Sequence, residues 1–366
     1  MGVSSLKTRL LKGIFKMLSE RAQTVLWSVV RQHIAKAKPV SSAGVVEDCG
    51  LDISSATVRN EIMRLEQDGY IIRPHHAAGA VPSEKAYRYY VGTLADVELP
   101  AEEKLLIKHL YHQVEGELEQ WLGLTVGLLA KGVHNVAVVT SPRPVACKLH
   151  HLELVSLQGP LALAVLILRG AKVKQKLLPF DQTMPQEELT AIANKLNDAY
   201  QGLTASRISR KKVELSLHEI HTADCLINMM KAEDEIEYED SYLDGLHFLL
   251  EQPEFSASQK AQTITQLVEN RRLGSAIIPP KMSREGVSVV IGKENRDEAI
   301  QEYGVVLSRY GLPEEAEGTI GVVGPMRMPY GRAISTISYL SLVMSTMVAE
   351  LYGREITTVE GGHDEG

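Results

Sequence analysis

The chain has 366 residues, 44% of them hydrophobic and 23% charged, and a net charge of −7. That composition excludes a disordered or fibrous protein, and the length predicts two or three domains, because one core seldom grows past about 250 to 300 residues. The charge is divided unevenly: residues 1–93 carry 13 Lys and Arg against 8 Asp and Glu, a balance of +5, whereas the rest carries 26 against 38, or −12. A basic first quarter on an acidic body predicts a nucleic-acid-binding head, since neutralised phosphates supply most of the sequence-independent affinity.

Lys7, Arg9, Lys12 and Lys16 interrupt the apolar residues of the N-terminus and no small-residue cleavage site follows, so no signal peptide is expected. Ser19 can cap a first helix in which Leu26, Val30 and Ile34 recur on one face until Pro39 stops it. Ser41 to Asp48 can form a brief second helix closed by Gly50, and Ser54 or Ser55 caps a third that ends at Gly69. On the third helix Val58, Ile62 and Leu65 share an apolar face. The opposite face carries Ala56, Asn60 and Gln67, flanked by Thr57, Arg59 and Arg64. Small and amide side chains beside cations suit base edges beside phosphates. Ser54, Ser55 and the free amides of the first turn would add a phosphate site at the positive end of the helix. Tyr70 to Arg73 reads as a strand and PHHAAGAVP as the loop of a wing, which places His75, His76, Lys85 and Arg88 near the DNA backbone.

Farther along, a helical stretch covers Glu102 to Leu129, followed by strands at Asn135–Thr140, Leu152–Leu157, Leu161–Leu168 and Val173–Leu178 and a helix from Gln186 to Tyr200. The longest apolar run, Leu161–Leu168, falls short of the roughly 20 residues of a membrane span, so no membrane partner is expected. Residues 205–272 shift from the basic Arg207, Arg210, Lys211 and Lys212, through a helical Asp224–Lys231, to the acidic EDEIEYED at 233–240, read as a solvated loop. Such a bracketed segment fits an inserted module. Gly286–Gly292 and Gly318–Val323 read as strands and Arg332–Tyr352 as a long closing helix.

Catalytic patterns fail. His218, Glu219 and His221 space the histidines by three where HExxH needs four, and Cys147 beside His150 and His151 lacks a nucleophile setting. Three scattered cysteines, Cys49, Cys147 and Cys225, form neither a disulfide framework nor a CxxC knuckle, which fits a reducing cytoplasm. Neither an enzyme activity nor a metal or other cofactor is expected.

The run LDISSATVRNEIMRLEQDGYIIRPHHAAGAVPSEKAYRYYV, preceded by PV at 39 and 40, resembles the winged-helix region of the HrcA heat-inducible transcription repressors. IGKEN at 291–295 and GTIGVVGPMRMPYGRAISTISYLS at 318–341 are similar to that family's C-terminal signature, in the same order. The resemblance implies an α+β multidomain chain with an N-terminal winged helix-turn-helix and a GAF-like domain interrupted by an inserted dimerising segment. On this chain that layout gives a winged-helix domain over 1–95, GAF-like parts over 96–204 and 273–352, the insertion over 205–272, and a disordered tail over 353–366. It further implies a cytoplasmic homodimer on double-stranded operator DNA, an inverted repeat called CIRCE upstream of chaperone operons. Heat would release the dimer and the GroE chaperonin would keep it active. Two departures stand out. The family's Gly-Ser-Lys-like sequence after PV is Ser41, Ser42, Ala43 here, so only Ser42 carries over, and the wing's Ser-Ala-Gly-Arg-Ile-Pro is Ala77, Ala78, Gly79, Ala80, Val81, Pro82, with Ala80 in place of the arginine. The alternative is a winged-helix regulator whose GAF-like domain binds a small effector in a cavity lined by IGKEN and GPMRMPY.

Overall fold

This computed structural model describes residues 18–49, 54–73, 79–94, 97–114, 117–143, 146–168, 173–235, 241–256, 259–279, 282–283, 286–313 and 315–354. They form two compact units, one drawn from Met1–Pro142, Ser241–Gly311 and Gly318–Gly366, the other from Arg143–Asp240 with Leu312–Glu317. The expected N-terminal extension and C-terminal tail lie largely outside the described residues.

The first unit opens with a helical head. Helix α1 (Glu20–Lys36) starts where the Ser19 hydroxyl accepts the Ala22 amide at 3.2 Å and ends where Ala37 turns left-handed, two residues before Pro39. Helix α2 (Ser42–Cys49) is capped by Ser41, which accepts the Gly44 amide at 3.1 Å. Of the two candidate caps for α3 (Ser55–Gln67), Ser54 does the work. Strands β1 (Ile71–Ile72) and β2 (Val81–Pro82) pair antiparallel, and α4 (Glu84–Thr93) follows. Val25, Leu26 and Val29 of α1, Val45 of α2, and Val58, Ile62 and Leu65 of α3 are buried together with Tyr87 and Tyr89 of α4. Each such side chain taken from water contributes about 1.5 to 3 kcal/mol before entropy is subtracted.

The expected continuous helix over 102–129 is two helices, α5 (Ala101–Gln113) and α6 (Leu118–Val133), because Val114 takes an extended backbone at φ −91°, ψ 126°. Strand β3 (Val136–Thr140) then enters the body, buried along its whole length, which is why it reads as an unbroken apolar run.

Between β3 and the next strand of the body lies the second unit. Strands β4 (Leu149–Ser156), β5 (Leu161–Leu168) and β6 (Val173–Pro179) form an antiparallel sheet in chain order. Helices α7 (Gln186–Tyr200), α8 (Ala205–Ile208) and α9 (Leu217–Glu235) complete it. Leu152, Leu154, Ala164 and Leu166 of the sheet share one core with Leu189, Ile192 and Leu196 of α7 and Leu226 and Met230 of α9. The compact unit therefore starts earlier and stops earlier than the 205–272 segment marked by composition. Burial, not charge, sets its bounds, since the sheet cannot cover its inner face without these helices. The acidic run at 233–240 is only partly described, and its first residues are engaged: Glu233 pairs with Lys174 at 2.7 Å and Asp234 accepts the Cys147 amide at 2.7 Å.

Strand β7 (Ser241–Asp244) returns to the body, followed by α10 (Leu246–Leu250), α11 (Gln259–Glu269), α12 (Leu273–Ile277), β8 (Val287–Ile291), β9 (Tyr303–Leu312), β10 (Ala316–Pro325) and α13 (Tyr330–Leu351). The five-stranded sheet runs β7-β3-β10-β9-β8, and α6 packs on α13. By length and composition α13 is apolar enough to cross a bilayer, but Ala333, Ile337, Leu340, Met344 and Val348 are buried in the core, which accounts for its apolarity. Truncating Leu26, fully buried at the centre of the head, removes packing that cannot collapse. Leu26→Ala is expected to cost about 2 to 5 kcal/mol, read as a lower denaturant midpoint.

Candidate nucleic-acid interface

Helix α3 divides as its spacing predicts: Val58, Ile62 and Leu65 point inward, while Ser55, Ala56, Arg59, Asn60, Met63, Arg64 and Gln67 are exposed. Ser54 accepts the Thr57 amide at 3.2 Å and its hydroxyl lies 3.0 Å from that of Thr57. The Ser55 and Ala56 amides remain as first-turn donors with no place in the helix ladder. The Arg59 guanidinium has no hydrogen bond or ion pair to any described residue, so a phosphate would not have to displace an existing partner. Arg64 is mostly exposed but leans on Glu61 at 3.4 Å, and Arg21 approaches the same carboxylate at 3.9 Å. Glu61, only 6% exposed, is a residue that apolar periodicity misses: its carboxylate draws two cations to the edge of the exposed face of α3.

Other expected contacts are placed differently. Ser42 is half-buried at the start of α2. Lys85 is exposed, yet its ammonium donates to the Asp68 carbonyl at 2.7 Å and lies 4.2 Å from the Tyr70 ring, so it caps the C-terminal end of α3. Ser83 assists by donating to the Gly69 carbonyl at 2.7 Å. Arg88 is turned away from any groove. Its Nε donates to Glu294 at 2.7 Å and one Nη donates to the Val289 carbonyl at 2.8 Å, and burial lowers the pKa of the guanidinium. His75 and the wing tip lie outside the described residues.

The root of the hairpin is tied to the turn between α1 and α2: Val40 and Ala80 exchange both backbone hydrogen bonds, at 2.9 and 2.7 Å. Gly79 is required by this pairing, because a Cβ there would stand 2.6 Å from the Val40 carbonyl oxygen. Ala80 is 2% exposed, so the position where relatives are expected to carry arginine faces the packing of the hairpin root.

On the opposite side of the head, His33 of α1 shares a 2.7 Å hydrogen bond with the buried Tyr87 hydroxyl. Arg327, from the turn before α13, donates to the Ile34 carbonyl at 3.2 Å and to Glu254 at 2.9 Å. Burial and then the Arg327 cation hold the His33 pKa below its usual 6.5, with Glu254 opposing. Through these contacts IGKEN and GPMRMPY lie against the head. An open groove of about 340 Å³ is lined by Gly286, Val287, Ser308, Ser338, Leu342 and Ser345, among others.

Candidate chemistry elsewhere resolves into structure. Ser216 and Glu219 form a capping pair at the start of α9, with the Ser216 amide donating to Glu219 at 2.7 Å and Lys195 pairing with it at 2.8 Å. His218 and His221 set their rings edge-on to Phe180, at 5.7 and 5.8 Å. Burial, followed by the nearby Asp234 and Glu233 carboxylates, pushes the Cys147 thiol well up, opposite to what a nucleophile needs.

Since His33 binds its proton less readily folded than unfolded, its contribution to stability is complete above pH 6.5 and lost as pH falls below that value. Imidazole titration by NMR should give a pKa under 6.5, and His33→Gln should flatten the acid limb of the stability profile; an unshifted titration contradicts the placement.

The sequence profile described as HrcA protein C terminal domain matches residues 119–334. The heat-inducible transcription repressor HrcA of Dehalococcoides mccartyi is 56% identical over 349 residues, covering 95% of this chain and all of that one. Its namesake from Roseiflexus castenholzii is 38% identical over 347 residues, covering 92% and 96%. A crystal structure of a hypothetical protein is alike at TM-score 0.53 and 22% identity, over 91% of this chain and 98% of that one, a likeness of fold alone. With a profile matching more than half its length and relatives aligned almost end to end, the chain belongs to the HrcA family of heat-inducible transcription repressors.

Proposed function

We propose that this protein represses transcription by binding an inverted-repeat operator in double-stranded DNA as a homodimer, each head acting as a winged helix with α3 in the major groove. The observation that carries the reading is the exposed face of α3, where Asn60 and Ala56 sit between Arg59, which has no partner among the described residues, and the first-turn amides that lie outside the helix ladder. An amide can make a bidentate contact to adenine, a methyl can meet thymine, and the cation and amides can hold phosphates on either side. Ser42, Ser54, Ser55, Thr57 and Arg64 border this face and complete the proposed contact set. Arg88 and Lys85 act within the protein, and His75 belongs to the proposed wing.

Two half-sites require two heads. A dimer contact is supported by the outer face of the three-stranded sheet, where Val155, Leu161, Val173 and Leu177 are 39%, 37%, 60% and 55% exposed. Register places Val155 opposite Leu163 and Leu163 opposite Leu177, so these side chains form one apolar surface on the inserted unit. Single exposed apolar residues need no explanation, but a contiguous face does. The five-stranded body corresponds in this reading to the family's GAF-like domain.

Relatives named heat-inducible repressors point to release on heating, and the family resemblance points to chaperone operons carrying CIRCE and to maintenance by GroE. A gap of only a few kcal/mol between competent and incompetent dimers is enough for such a switch. Footprinting on the DNA upstream of the protein's own gene should reveal a symmetric protected repeat, strengthened by GroE with ATP and weakened by heating; unchanged affinity with active chaperonin removes that part of the reading.

Asn60→Ala and Arg59→Ala should each weaken operator binding by about 1 to 3 kcal/mol in gel-shift titrations. Asn60→Ala should relax base preference, whereas Arg59→Ala should lower the salt slope by about one. Leu177→Asp should yield monomers in sedimentation velocity at concentrations where the wild type is dimeric, and continued dimerisation would remove the sheet face from the interface.

A further inference from the structure

We infer that Arg88 and Arg327 are positioning residues for operator binding, holding each head at one angle on the five-stranded body so that the two heads of a dimer reach both half-sites together. The inference rests on the operator-bound dimer proposed above. Two polar clamps join head to body. In the first, Glu84 and Arg88, one turn apart on α4, grip the short 3-10 turn Gly292–Glu294 that follows β8. The Lys293 amide donates to Glu84 at 3.3 Å, and Glu294 receives the Arg88 guanidinium on both carboxylate oxygens. Gly292 has φ +57°, and a Cβ there would fall 2.5 Å from the Glu84 carboxyl carbon, so the backbone lies directly against that carboxylate.

The second clamp is Arg327. Its planar fork is fixed by Glu254 at 2.9 Å and Gln252 at 3.1 Å, and its remaining Nη donates at 3.2 Å to the Ile34 carbonyl in the last turn of α1. A cation at a helix C-terminus meets carbonyls that have no partner in the helix. Gln252 is in turn anchored by donating to the His134 carbonyl at 2.9 Å and to Asn135 at 3.0 Å, beside β3. Between the clamps the Tyr87 and Tyr330 rings meet at 6.2 Å.

None of these groups belongs to the exposed face of α3, so loosening them changes where the face points and not what it reads. A head released from both clamps stays joined to the body through the chain after α4. Simultaneous binding of two half-sites gains affinity only when geometry permits both, and that gain fades as the heads swing. A single half-site, bound by one head, is indifferent to the angle.

Arg88→Gln, Arg327→Gln and the double variant are to be titrated, as full-length protein, on two duplexes: the inverted repeat protected by the wild type, and the same DNA with one arm scrambled. Melting curves establish that each variant is folded, and if Arg327→Gln is not, Arg88→Gln decides. The expected result is a loss of about tenfold or more on the full repeat for the double variant, with half-site affinity kept within about twofold. Arg88→Lys, which keeps a cation beside Glu294, should retain most of the full-repeat affinity. Equal losses on both duplexes, or no loss on either, overturn the inference. A wild type that binds both duplexes equally overturns the operator-dimer reading itself, a distinct outcome.

Discussion

The antiparallel pairing of β3 with β7 is the constraint on which the rest is built. Ala137 faces Asp244 and Thr140 faces Ser241 across the ladder, so the chain leaves the five-stranded sheet and re-enters it at neighbouring positions. Any unit of moderate length can occupy the gap, because closing a longer loop costs only a slowly growing entropy and no sheet hydrogen bond is given up. The inserted sheet and its three helices bury their own core there, while the body behaves as though β3 and β7 were joined by a simple turn.

The body's order extends to the head through one buried amide. Asn295, 4% exposed, donates to the carbonyls of Gly292, Ile300 and Tyr303 at 2.9, 3.1 and 3.1 Å. A buried amide satisfied this fully makes its loop rigid. The rigid loop fixes Glu294, which accepts the Ile291 amide at 2.8 Å while holding Arg88. The glycine, the acid and the amide of IGKEN therefore act together to present one ion pair to α4, whereas the basic turn of GPMRMPY presents a hydrogen bond from Arg327 to the Ile34 carbonyl of α1. Both blocks work as joints.

The residues most suggestive of catalysis show how packing and hydrogen bonding convert reactive types into structural ones. Glu219 completes a helix cap, His218 and His221 pack on Phe180, and Cys147 donates its thiol toward the Met230 carbonyl at 3.4 Å. A polar group taken out of water costs free energy unless it finds a partner; for Glu219 the partner is the nearby Ser216 amide, and for Cys147 it is the Met230 carbonyl far along the chain.

Local rules made much of the molecule legible. Caps at Ser19 and Ser54, the stop at Pro39, the apolar stripe of α3, the helix at 186–200 and the strand at 161–168 all follow from neighbours within one or two turns, where propensity and periodicity operate. So did the outward set of α3, because the side that faces the core dictates the side that does not. Strands β7 and β9 were not legible. β7 is a four-residue edge strand of mixed polarity, and β9 is so largely buried that it has lost the alternation by which a strand announces itself. Nor did sequence reveal that Arg88 and Lys85 face the protein, that Glu61 is buried beside the exposed face of α3, or that the inserted unit begins at residue 143. Each of those depends on a partner far away in the chain, such as Glu294 for Arg88 at a separation of 206 residues. Periodicity reports which side of an element is apolar; only the assembled structure decides which distant charge a cation will meet.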